Sequence, residues 1–155
     1  MRAVLPAVAV SAGLIASSGF AADTFEIADQ DNSYVLDRQS VKLLPTGLRQ
    51  ATLLLLSKRP IKIGGQNYRV IRLVDEYDCK RKRSRSVAGT PLSDKLQPSG
   101  RALGPPPPEW TDIQPGSVGA GRLKLVCTSQ VVGGAVSLGD VRPEDVARRR
   151  LARWN

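Results

Sequence analysis

Lys58-Arg59-Pro60-Ile61-Lys62-Ile63-Gly64-Gly65-Gln66-Asn67-Tyr68-Arg69-Val70-Ile71-Arg72-Leu73-Val74-Asp75-Glu76-Tyr77-Asp78-Cys79 is the stretch that decides the fold. At its centre Gly64-Gly65 supplies two residues that tolerate positive φ, the condition for a tight two-residue turn, so the segment predicts an antiparallel hairpin. In the second arm Ile71, Leu73, Asp75, Tyr77 and Cys79 share one face, while Val70, Arg72, Val74, Glu76 and Asp78 share the other. The odd-numbered face is the expected core face.

Upstream, Thr24 to Ala28 and Tyr34 to Asp37 read as short edge strands around the polar turn Asp29 to Ser33. Val41 to Leu44, the turn Pro45-Thr46-Gly47 and Leu48 to Ser57 follow. The run Leu53-Leu54-Leu55-Leu56 suits a buried strand, although leucine also favours helices. Downstream, the hairpin's second arm runs on into Lys80-Arg81-Lys82-Arg83-Ser84-Arg85. Composition then shifts through Ser93 to Gly104 to the tract Pro105 to Pro108, which prefers extended polyproline II and ends at Glu109-Trp110. Trp110 is expected to pack on the sheet, with presentation to a partner as the alternative.

From Val118 to Cys127 two periodicities compete. Leu123, Leu125 and Cys127 alternate as in a strand, while Ala120, Leu123 and Cys127 fit helical spacing, and Gly119 and Gly121 each weaken a helix by roughly 1 kcal/mol relative to alanine. Residues 129–139 read as a linker. Residues 140–155 read as a basic, loosely docked helix or tail, with Pro143 near its start, Glu144 and Asp145 in its first turn and Arg148, Arg149, Arg150 and Arg153 toward its end.

Residues 1–22 have the pattern of a cleavable export signal: Arg2, an uncharged apolar stretch from Ala3 to Ile15, and a small-residue exit with cleavage at Ala21 or Ala22. No transmembrane segment is expected, because this stretch is too short and no second apolar span follows. No cysteine stands at the exit, so a lipoprotein anchor has no attachment residue. The expected location is the periplasm of a bacterium or the medium outside it. In such an oxidising compartment the two cysteines, Cys79 and Cys127, read as one structural disulfide, worth roughly 4 kcal/mol in the chain-entropy model.

Removing Arg2 from the 23 Lys and Arg leaves a formal charge of +8 against 14 Asp and Glu, which attracts anionic polymers, lipid head groups or acidic proteins. The chain has no histidine, so the usual acid/base group near neutral pH and the commonest metal ligand are missing. No cofactor, metal site or catalytic residue is expected. Glu76 and Asp78 are the one carboxylate pair at a catalytic spacing, and the adjoining cations would hold both ionised. The candidate anion- or partner-binding residues are Lys80, Arg81, Lys82, Arg83 and Arg85. On an extended strand Arg81, Arg83 and Arg85 would point opposite to Lys80 and Lys82, and the bland reading of such a run is a solvated edge. Nucleic acid is an unlikely partner for an exported chain without interleaved aromatics.

At Tyr77-Asp78-Cys79, followed by Arg83 and Arg85, then Trp110, Ile113-Gln114-Pro115-Gly116-Ser117 and Cys127, the chain resembles the surface-adhesin protein E-like family of small bacterial envelope proteins. Tyr34, Asp37 and Ser40 fit the opening strand of that family, and the similarity covers residues 23–128. The resemblance implies an α+β, mainly β fold: an antiparallel sheet, here of about six strands, with a C-terminal helix tied to it by Cys79 and Cys127. It tips residues 117–127 toward helix. It also implies a non-enzymatic binding module whose partner is a protein or anionic polymer of the envelope or host matrix, with a homodimer through the sheet as a further expectation. The missing lipidation cysteine and the extra tail depart from the family's founding type. A structural role, with the basic strand and tail holding the protein to anionic envelope components, is the alternative.

Overall fold

The computed structural model describes residues 23–103, 109–128, 130–131 and 134–154. The stretch read as an export signal, with Ala21 and Ala22, and the Pro105 to Pro108 tract lie outside the described residues. The chain order is β1 (Thr24–Ala28), β2 (Asn32–Asp37), a 3-10 turn (Arg38–Ser40), β3 (Lys42–Leu43), β4 (Arg49–Ile63), β5 (Gln66–Asp78), β6 (Arg83–Leu92), β7 (Thr111–Asp112), α1 (Val118–Thr128), β8 (Ala135–Ser137) and α2 (Pro143–Trp154). The strands form one antiparallel sheet in the order β7-β6-β5-β4-β2-β1-β8, with β3 paired to the start of β4. Among the described residues the expected antiparallel sheet has eight strands, of which β7 and β8, two and three residues long, are too short to show an alternation.

The Gly64-Gly65 hairpin forms as expected, with φ of +56° and +85° at the two glycines. Its first arm is continuous with the leucine run, so β4 is a single strand of 15 residues, broken in register by a bulge between Leu56 and Ile61. At the first turn, Asp29 Oδ1 accepts from the amides of Asp31 and Asn32 at 2.9 and 2.7 Å. That aspartate supplies the hydrogen bonds that reverse β1 into β2.

One helix packs on each face of the sheet. On one side Phe25, Ile27, Leu36, Ala51, Leu53 and Tyr77 meet Leu123, Leu125 and Val126 of α1. On the other, Val35, Leu54, Leu56, Val70 and Leu92 meet Val146, Ala147 and Leu151 of α2. Consecutive leucines therefore point into different cores, which explains a four-leucine run without alternation. The even-numbered face of β5, expected to face outward, is core at Val70.

The competition over residues 118–127 resolves as helix. Ser117 Oγ accepts from the Ala120 amide at 3.1 Å, satisfying one of the orphan donors at the start of α1. At the other end Cys127 is bonded to Cys79, with their Cα atoms 5.8 Å apart. The residues read as a linker contain β8, which pairs with β1 through Phe25, Glu26 and Ile27. The terminal helix is firmly seated rather than loosely docked: Ala147 is fully buried, and Glu26 accepts from Arg150 Nε at 2.8 Å and from Ser33 Oγ at 2.5 Å.

Candidate functional site

The basic run is not the extended strand expected from its charges. Residues 79–82 form the turn between β5 and β6, with Lys82 at φ +53°, and β6 begins at Arg83. Arg83 and Arg85 stand opposite Asp78 and Glu76 in register and pair with them. Arg85 reaches Glu76 Oε2 at 2.6 Å through Nη2 and 2.9 Å through Nε. Arg83 Nε donates to Asp78 Oδ2 at 3.3 Å. The half-buried Trp110 lies against both guanidinium groups, each 4.6 Å from its ring. The expected packing of Trp110 is therefore specific: it covers a ladder of two ion pairs, and Arg83 and Arg85 are engaged within the fold.

The ladder also bears on the charge of Asp78. The Arg81 amide donates to Asp78 Oδ1 at 3.1 Å, and this bond, with Arg83 and Arg81 beside it, holds the Asp78 carboxyl below its usual range. Asp78 therefore stays ionised at neutral pH. Among the described residues no group of three or more His, Cys, Asp and Glu side chains is arranged to hold a metal ion.

At the tip, Lys80, Arg81 and Lys82 are exposed. Arg81 lies 3.6 Å from Asp78 Oδ2, whereas Lys80 and Lys82 make no ion pair among the described residues. The pairing of β4 with β5 places this turn next to another, the β3–β4 connection. Between them lies a groove of about 530 Å³ lined by Leu43, Leu48, Arg49, Asp78, Cys79, Lys80, Arg81 and Cys127. Arg49 and Leu43 carry no signal of this role in the sequence, because their place beside the basic turn follows from β4 pairing with β5 and β3 with β4.

A second polar cluster is structural. Asp75, almost wholly buried on the α1 face, accepts from Ser86 Oγ at 2.7 Å and from Arg122 Nη1 at 3.1 Å. The Arg122 guanidinium lies 4.4 Å from the Tyr34 ring. Burial pushes the Asp75 carboxyl and the Tyr77 and Tyr34 hydroxyls up from their ordinary values. Elsewhere α2 presents Arg148, Arg149 and Arg153 outward. No described helix is long and apolar enough to cross a membrane.

A mainly β domain with a helix tied to its sheet by one disulfide, and an arginine–carboxylate ladder capped by tryptophan, is the class of protein these features define. The model of the family described as surface-adhesin protein E matches residues 23–128, and the chain belongs to that family. No curated protein and no solved structure matches it. The matched residues end with α1, so β8 and α2, which complete the sheet and the second core, lie beyond them.

Proposed function

We propose that this protein is a non-enzymatic, exported envelope protein that binds an acidic protein surface or an anionic polymer through the turn between β5 and β6. Membership of a surface-adhesin family supports a role at the cell surface. The observation that carries the choice of site is the division of labour within the basic run. Arg83 and Arg85 are neutralised by Asp78 and Glu76 and stacked on Trp110, while Lys80 and Lys82 extend from the turn without a counter-charge among the described residues. Cations left unpaired on a turn held by flanking ion pairs and a disulfide can approach an anionic partner without first breaking a bond of their own.

The test is binding of the exported chain to immobilised host-matrix proteins and to heparin, at low and physiological salt, beside a variant with Lys80, Arg81 and Lys82 changed to glutamine. Saturable binding that is lost in the variant supports the reading; binding that the variant retains in full overturns it. A second reading, a structural component held to anionic envelope polymer, is favoured by the outward arginines of α2. It predicts retention that depends on Arg148, Arg149 and Arg153 and falls steeply with salt.

A further inference from the structure

Leu43 is 69% exposed in a strand of two residues at the disulfide end of the sheet. One exposed leucine is ordinary. What distinguishes this one is the number of cations on its own strand and on the neighbouring turn. Lys42 precedes it, Arg49 is its register partner on β4, Lys80 and Arg81 line the groove it borders, and Lys82 completes their turn. Of these five, Arg81 alone has an ion-pair partner among the described residues, Asp78, the carboxylate that also lines the groove.

An apolar side chain at a tip, with nearby cations of which four make no ion pair among the described residues, matches the two layers of an anionic bilayer surface, phosphates above and acyl chains beneath. A folded acidic protein fits less well, because a stable interface needs roughly 800 Å² of complementary surface on each partner, and two turn tips flanking a groove offer little continuous area. We propose that this end of the sheet docks on membranes carrying anionic phospholipid, with Leu43 entering the headgroup boundary and Lys42, Arg49, Lys80 and Lys82 meeting phosphates. The inference rests on the reading that the basic end is the binding surface, and it names the partner.

The test is co-sedimentation of the exported chain with vesicles of phosphatidylcholine alone and of phosphatidylcholine mixed with phosphatidylglycerol, with heparin binding measured in parallel. Partitioning to the anionic vesicles alone is expected. Leu43→Asn should lower it about tenfold and weaken heparin binding far less, since the apolar contribution of one leucine is removed without a change of charge. Lys80→Gln with Lys82→Gln should lower vesicle partitioning about 25-fold and weaken heparin binding as well. Leu43→Trp keeps an apolar tip whatever the asparagine does to folding, and its emission, read as the difference from the parent with Trp110 and Trp154, should shift to the blue on anionic vesicles. Heparin binding without vesicle binding, an unshifted Leu43→Trp emission, or vesicle binding lost only when Arg148, Arg149 and Arg153 are replaced would overturn the lipid inference while the basic end stands. Failure to bind either probe would remove both.

Discussion

Arg122 of α1 donates from Nη1 to Asp75 Oδ2 of β5 at 3.1 Å, an ion pair placed inside the protein on the face that α1 covers. The carboxylate side chain is 3% exposed and the guanidinium 17%, so water screens this contact far less than it screens the exposed pairs around Asp145. The pair anchors the helix to the centre of the sheet, as the disulfide anchors it at the end.

Arg122→Met should therefore destabilise the protein by about 3 kcal/mol, because one partner of a buried pair is removed and the other is left uncompensated. Urea denaturation of the variant and the parent checks this. Restoring the parent midpoint by adding Asp75→Asn to Arg122→Met would show that the cost arose from the orphaned carboxylate.

The pH dependence follows from the direction of the Asp75 shift. Burial, opposed by Ser86 and Arg122, raises the folded-state carboxyl above its ordinary value of 3.8, so between these two values the folded protein binds the proton more tightly than the unfolded chain. The stabilising contribution is present in full below 3.8 and is lost as pH rises through the folded value. Asp78 and Asp145, both lowered, act in the opposite sense: their contributions are present above 3.8 and are lost as pH falls through their folded values. Asp75→Asn should remove the first component, so the stability of the parent relative to the variant should decline as pH rises above 3.8. Denaturation midpoints of both proteins across that range measure it.

Opening the 48-residue separation between Cys79 and Cys127 should cost roughly 4 kcal/mol. The protein should show no free thiol under denaturing, non-reducing conditions, and Cys79→Ser with Cys127→Ser should lower the melting temperature by a corresponding amount.

Leu151 lies beyond the residues that match the family model, yet it is buried against Val35, Leu54 and Val70 in the second core. Leu151→Ala should destabilise the whole domain by about 2 to 4 kcal/mol and leave one cooperative transition. A separate early transition for α2, seen by hydrogen exchange, would show instead that the helix is an accessory.

Much of the sheet was legible because its signals are local. Gly64-Gly65 announces a hairpin through backbone freedom, and Asp29 announces a turn through its own hydrogen bonds. The basic run misled because its charges say nothing about direction: the chain reverses at Lys80 to Lys82, and Asp78 captures the turn's amide and two arginines. Residues 118–128 were ambiguous because their glycines disfavour helix while their apolar spacing fits either period. Helix prevails with Ser117 capping the first turn and with Leu123, Leu125 and Val126 buried on the sheet. For the candidate site, Lys80 to Lys82 could be read from composition, but Leu43 and Arg49 could not.

By itself the sequence determined the hairpin, the helical character of the Arg-rich tail, the absence of histidine chemistry and the one pairing open to two cysteines, because each depends on residue type or near neighbours. Tertiary structure alone decided that both faces of the sheet are core, that residues beyond 128 complete it, and that an exposed leucine lines one groove with Arg49, Lys80 and Arg81. Those outcomes depend on contacts between segments distant in the chain, and a contact of that kind leaves no periodic trace in either segment.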